Sequence, residues 1–182
     1  DQGFFLGEHG FFDKRFMYEE SLRMPFVIRY PGKIKPNIII DDIISNIDFA
    51  PTLLDMAGVP VPEGVQGKSF FSNLQGETSK DWKQSMYYHY YEYPFYHRVQ
   101  PHYGIRNQRY KLIHFYYDID VWELYDLEND PNEMNNLIAD KAYTNTIREL
   151  KSELYRLKET AGNTMSLQEL RTITEKDFGG LE

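Results

Sequence analysis

Asp1 and Gln2 open the sequence with two oxygen donors side by side, and His9 and Lys14 follow. A hard cation such as calcium takes about 6–8 oxygens, so this pair holds a metal only with ligands from elsewhere. By itself Asp-Gln is an ordinary loop sequence. His9, between Glu8 and Gly10, could bind a ligand, although a lone histidine is more often a hydrogen-bonded structural residue than a catalyst. Lys14 and Arg15 lie close to Glu19 and Glu20. The plain reading of those four is a solvated helix face with local ion pairs.

A second group is less ordinary. No acidic residue occurs between Glu92 and Asp118, yet the interval carries Arg98, Arg106, Arg109 and Lys111, with His97, His102 and His114. In an acidic chain such an interval could set up a local positive field that draws an anion. Tyr96, Tyr103 and Tyr110 interleave with the cations, which suits sugar stacking or simple packing. The same cations could equally pair with acids distant in sequence, and both readings stay open. His89, His97 and His102 lack the tight helical spacing of a zinc site. Asp126, Glu128 and Asp130 alternate like the start of a calcium loop, but Pro131 stands where that loop needs glycine and Leu137 where it needs glutamate. That stretch reads as a turn.

The elements around these residues follow from pattern. The chain has 182 residues, 41% of them hydrophobic, enough for a real core. Its net charge of −8 argues against general nucleic-acid binding and against an anionic membrane surface. No apolar run approaches the ~18 residues of a membrane span. With no cysteine, disulfides and thiolate metal sites are excluded, while the compartment stays open. Phe26–Tyr30 and Ile38–Ile44 read as strands, and Asp48 as the cap of a helix from Phe49 that stops at Gly58. Lys68–Leu74 reads as one or two helical turns. Strands are expected at 86–91, 103–106, 110–116 and 122–127, with Asn107-Gln108 as a hairpin connection. Ile147, Leu150, Leu154 and Leu157 form a helical stripe over 142–158 that should pack on this antiparallel sheet. The tail from Ala161 is polar and is expected to be loose.

Four blocks carry a resemblance: DQGFFLGEHGFFDKRFMYEESLRMPFVIRYPG, IDFAPTLLDMAGV, GIRNQRYKLI and WELYDLENDPNEMNNL. Together, from Asp1 to about Thr160, the sequence resembles the C-terminal portion of a type I, formylglycine-dependent sulfatase of the alkaline phosphatase-like superfamily, and most resembles glycan sulfatases of the N-acetylglucosamine-6-sulfatase type. The resemblance implies an α/β fold in three parts. Residues 1–83 would belong to the sulfatase core, 84–160 would form a small four-stranded antiparallel sheet packed against a C-terminal helix, and 161–182 would be a polar tail.

The resemblance also implies roles. Asp1 and Gln2 match the last calcium ligands and Lys14 the lysine that binds sulfate oxygens. His9 would line the pocket, and His97, Arg98 and His102 would lie at its rim and select the sugar. The formylglycine nucleophile and the other metal ligands would lie upstream, so the chain is expected to be an inactive fragment of a periplasmic or secreted sulfuric ester hydrolase acting on a sulfated amino sugar. The alternatives are a phosphodiester or phosphonate ester hydrolase of the same superfamily, and a non-catalytic module that binds sulfated glycan. A fragment with an uncovered sheet edge is also expected to self-associate.

Overall fold

The computed structural model describes residues 3–93 and 98–178. It divides into two compact units, Phe26–Met86 and Asp1–Pro25 with Tyr87–Glu182. The first 25 residues therefore go with the sheet rather than with the segment that follows them.

The sheet has four strands in the order β1 (Ser85–Tyr90), β2 (His102–Asn107), β3 (Tyr110–Phe115) and β4 (Val121–Asp126). Both β2 with β3 and β3 with β4 pair antiparallel, with Ile105 opposite Leu112 and His114 opposite Trp122. The expected hairpin forms because the Asn107 Oδ1 accepts the Arg109 and Tyr110 N–H groups at 3.0 and 2.7 Å, a side chain standing in for the turn's backbone partner.

Side chains alternate across the pleat, giving the sheet two different faces. One presents Tyr103, Ile105, Leu112 and Leu124 to Leu150 and Leu154 of α4 (Thr144–Thr160) and Leu170 of α5 (Leu167–Phe178). The other packs Ile113, Phe115 and Tyr125 against Phe5, Met17 and Tyr18. Gly104 belongs to this second face. A Cβ there would come within 2.4 Å of the Leu112 carbonyl oxygen and 2.6 Å of the Met17 sulfur, so the missing side chain is what lets Met17 reach the sheet.

The expected loose tail is corrected by α5. Ser166 and Glu169 close a reciprocal cap: Ser166 N–H donates to the Glu169 carboxylate at 2.7 Å, and the Ser166 hydroxyl accepts Glu169 N–H at 3.2 Å. This capping box starts a helix that buries Leu170.

In the other unit, Phe70, Leu74 and Trp82 form the core, with Ile28, Ile44 and Phe49 packed against it. The helix expected from Phe49 is α2 (Phe49–Met56), and α3 (Phe71–Leu74) is one turn of the one or two expected over Lys68–Leu74. Asp48 does not cap α2. Its buried carboxylate accepts Ser45 N–H at 2.8 Å and Lys68 N–H at 3.0 Å, and it meets the Lys83 ammonium. The strands expected at 26–30 and 38–44 are irregular chain without a ladder, with a bend at Asp42. A strand needs a neighbour to satisfy its backbone groups, and neither has one among the described residues. Val27 and Ile39 are left almost fully exposed.

Candidate functional site

Residues 3–22 form a folded-back segment on the second sheet face. Phe5 N–H donates to Asp13 O at 2.8 Å and Gly7 N–H to Phe11 O at 2.9 Å. The tip between them, Gly7 to Gly10, needs positive φ at Gly7 (129°), His9 (52°) and Gly10 (76°). Glycine takes such angles at no steric cost, whereas His9 takes one under strain, a feature that clusters at functional sites. The His9 ring stacks on Tyr18 with centroids 4.5 Å apart, and its Nε2 lies 3.5 Å from the Glu20 carboxylate.

Lys14 sits on the returning limb, and its backbone is fixed from two sides. Its carbonyl accepts the Ser21 hydroxyl at 2.6 Å, and the next carbonyl, that of Arg15, accepts the Tyr88 hydroxyl at 2.7 Å. The Lys14 N–H donates to Asp13 at 2.6 Å. Arg15 is engaged by Asp13 at 2.9 Å.

The helix-face reading of Lys14, Arg15, Glu19 and Glu20 is therefore corrected. Glu19 and Glu20 begin α1 (Glu19–Leu22), but Glu19 turns to the sheet. Its carboxylate lies 2.9 Å from Lys111 Nζ and 3.3 Å from Arg106, and its N–H donates to Glu133 Oε2 at 2.6 Å. Lys111, fully buried, also meets Glu133 at 2.7 Å. Burial works to raise the Glu19 pKa, but Lys111 and Arg106 outweigh it and hold the carboxyl below its ordinary range. At Glu133 burial wins over Lys111, and the pKa is raised.

This network answers the open question for the C-terminal part of the acid-free interval. Arg106 and Lys111 are taken up by Glu19 and Glu133. Arg109 makes a two-pronged pair with Asp126 at 2.7 and 3.0 Å, which holds Asp126 down to about 2. These three of the interval's four Arg and Lys residues pair with acids distant in sequence. Asp126 also accepts the Glu128 N–H and the Asn129 side chain, which confirms the turn in place of a calcium loop.

Of the other candidates, Arg98 is exposed with φ 47°. His102 is fully buried among rings, stacked by Tyr88 and Tyr90 at 5.6 Å each and by Phe16 at 6.1 Å. Its Nδ1 lies 2.7 Å from the Gln100 carbonyl, which can only accept, so Nδ1 carries the proton. The Nε2 lone pair has no partner among the described residues. Burial pushes this imidazole down to about 4, so it is neutral near pH 7. Phe16 stacks toward both Tyr18 and His102, so His9, Lys14 and His102 belong to one unit and one side of the sheet. Asp1, Gln2 and His97 lie outside the described residues. Among those described, no three His, Cys, Asp or Glu residues gather into a metal site, and no helix is long and apolar enough to cross a membrane.

The residues missed from sequence are Ser21, Tyr88 and Glu133, and for Lys111 the buried pairing was one of two open readings. Lys111 had a signal: a charged residue inside an otherwise apolar strand needs a buried partner.

Residues 7–160 match the family model described as N-sulphoglucosamine sulphohydrolase, C-terminal. The chain is 58% identical over 152 residues to an N-acetylglucosamine-6-O-sulfatase of Bacteroides thetaiotaomicron, covering 82% of this chain and 27% of that protein. It resembles a protein solved in complex with its substrate D-glucosamine-2-N,6-O-disulfate, with a TM-score of 0.88 and 52% identity over 92% of this chain and 34% of that one. It also resembles a phosphonate monoester hydrolase from Silicibacter pomeroyi, with a TM-score of 0.71 and 25% identity over 83% of this chain and 31% of that one. The chain thus spans about a third or less of the length of these relatives.

Proposed function

The chain belongs to the N-sulphoglucosamine sulphohydrolase C-terminal family, and from that premise we propose that it is the C-terminal part of a periplasmic or secreted enzyme that hydrolyses sulfate esters on a glycan, with a 6-O-sulfated amino sugar as substrate. The observation that carries this reading is the 58% identity to an N-acetylglucosamine-6-O-sulfatase, within which the matched family region holds both His9 and Lys14.

In this reading Lys14 places its ammonium on the non-bridging sulfate oxygens. Cleavage shifts negative charge toward the departing oxygen, and a fixed cation offsets charge that water would otherwise have to reorganise around. The hydrogen bonds from Ser21 and Tyr88 to the Lys14 and Arg15 carbonyls hold that backbone still. His9, fixed by Tyr18 and Glu20, lines the pocket. His102, fully buried among rings, would not touch the sugar itself and would support the pocket wall from behind, with Arg98 and His97 at the rim. The carboxylate of Asp1 and the amide oxygen of Gln2 are the donor types calcium takes. They would hold it with ligands from outside this chain, and when bound it supplies positive charge against the sulfate. The formylglycine nucleophile would also come from outside this chain.

The test is hydrolysis by the sulfatase that contains this chain, compared on N-acetylglucosamine-6-sulfate and on a phosphonate monoester. Sulfate ester cleavage that is lost with a chelator and restored by calcium is the expected result. Cleavage of only the phosphonate ester would instead favour the second reading, for which the likeness to the phosphonate monoester hydrolase speaks.

A further inference from the structure

The first sheet face, opposite the one that holds Lys111 and residues 3–22, does not close fully on its helices. Between β2–β4, α4 and the start of α5 lies a cavity of about 500 Å³, lined by Tyr103, His114, Trp122, Lys151, Tyr155 and Lys158 among others. That is the size range of a small-molecule site.

Its charges are unusual. Lys158 is 8% exposed, and a buried ammonium is expected to have a carboxylate partner. No carboxylate lies within ion-pair distance of Lys158 or Lys151 among the described residues. Lys158 donates to the Met165 carbonyl and lies 5.8 Å from the Tyr103 ring centre. It stands in the last turn of α4, where the helix dipole favours a cation. None of these supplies a full negative charge, and the Glu169 carboxylate, which acts on Lys158 from beyond ion-pair distance, offsets its burial only in part. Lys151 lies over the Trp122 ring, 3.8 Å from its Nζ, and feels the Asp120 carboxylate only from beyond ion-pair distance. Burial lowers the pKa of both lysines. The acid on this wall, Asp120, is already taken by His114 at 2.7 Å and Arg171 at 2.8 Å.

We propose that this cavity is a binding site for a sulfated saccharide, with the ammonium groups of Lys151 and Lys158 taking the sulfate and the half-exposed Tyr155 ring taking the sugar. The cations fix the anionic group, and the aromatic wall favours a sugar over a bare ion. The choice of sulfate as the acidic group rests on the function proposed above, but the site is read by binding alone and needs no turnover.

The test is a titration of the chain with D-glucosamine-2-N,6-O-disulfate, followed by the two indole N–H resonances of Trp82 and Trp122. The Trp122 signal should shift to saturation while that of Trp82 stays still. Lys151→Ala and Lys158→Met should each weaken binding about tenfold or more, the scale of one charge-assisted hydrogen bond, and unsulfated glucosamine should not compete. Lys151 is only half-buried, so its variant keeps the test open if Lys158→Met fails to fold. The proposal is overturned if the Trp122 signal does not move, if a folded Lys151→Ala chain binds within about twofold of wild type, or if inorganic sulfate binds as tightly as the sugar. Loss of sulfatase turnover alone would bear only on the earlier reading.

Discussion

The two faces of the sheet solve the same burial problem in opposite ways. The face toward α4 and α5 is mainly aliphatic and aromatic, and its polar atoms are tied into short chains such as Tyr103–His114–Asp120. The face toward residues 3–22 has its own aromatic cluster and beside it buries whole charges, with Lys111 between Glu19 and Glu133. An apolar contact tolerates sliding, because dispersion and hydrophobic burial have little direction. A buried ion triad does not, since each displaced charge loses a partner it cannot replace with water. The charged face is therefore the one suited to hold the Lys14 segment in a single position, and the apolar face supplies bulk stability.

The sharpest way to break this contrast is Lys111→Met. It leaves two buried carboxylates facing each other, and urea unfolding should show a loss of about 3–5 kcal/mol. A loss under about 1 kcal/mol would mean that the triad is no clamp. On the other face, Leu154→Ala removes a fully buried side chain from the α4 contact and should cost about 2–5 kcal/mol without disturbing the Lys14 segment. Amide exchange at residues 5–18 distinguishes the two variants, rising early in Lys111→Met and only with global unfolding in Leu154→Ala. Gly104→Ala puts a methyl group against the Leu112 carbonyl and Met17 and should cost about 1–3 kcal/mol.

Acid gives a graded version. His89 and His102 are pushed by burial to about 3 and about 4. The unfolded chain takes up protons from about pH 6.5 downward while these folded imidazoles stay neutral. Stability should therefore fall as pH drops from 6.5 toward 4, because the unfolded state binds more protons. His102→Gln should flatten that slope, and an unchanged slope would exclude His102 as a contributor. The smallest effect belongs to the exposed Arg156–Glu153 pair on α4, where Arg156→Ala should leave the unfolding midpoint unchanged.

Much of this was legible in the sequence where structure is local. The four strands, the Asn107 turn and the α4 stripe follow from alternation, turn chemistry and 3.6-residue periodicity. What was not legible depends on distant partners. Glu19 and Lys111 look like surface charges until the fold brings them together across 92 positions, and the acid-free interval looked electropositive for the same reason. Phe26–Tyr30 and Ile38–Ile44 carry strand composition, but composition cannot supply a neighbouring strand. The α5 capping box was the exception, a local Ser-x-x-Glu signal outweighed by the polar look of the tail. In the proposed site, Lys14 and His9 come from motif resemblance, while Ser21 and Tyr88, which bond the Lys14 and Arg15 carbonyls, carry no pattern that marks them.

In the proposed function, the charged face of the sheet holds Lys14 where it can take the sulfate of a sugar ester. The most direct measurement is kcat/KM for N-acetylglucosamine-6-sulfate with the calcium-loaded sulfatase that contains this chain, as wild type and as Lys14→Ala. The account predicts a loss of about 100-fold or more, the scale of removing one preorganised donor from the developing charge. Activity within a few-fold of wild type in a correctly folded Lys14→Ala enzyme would contradict it.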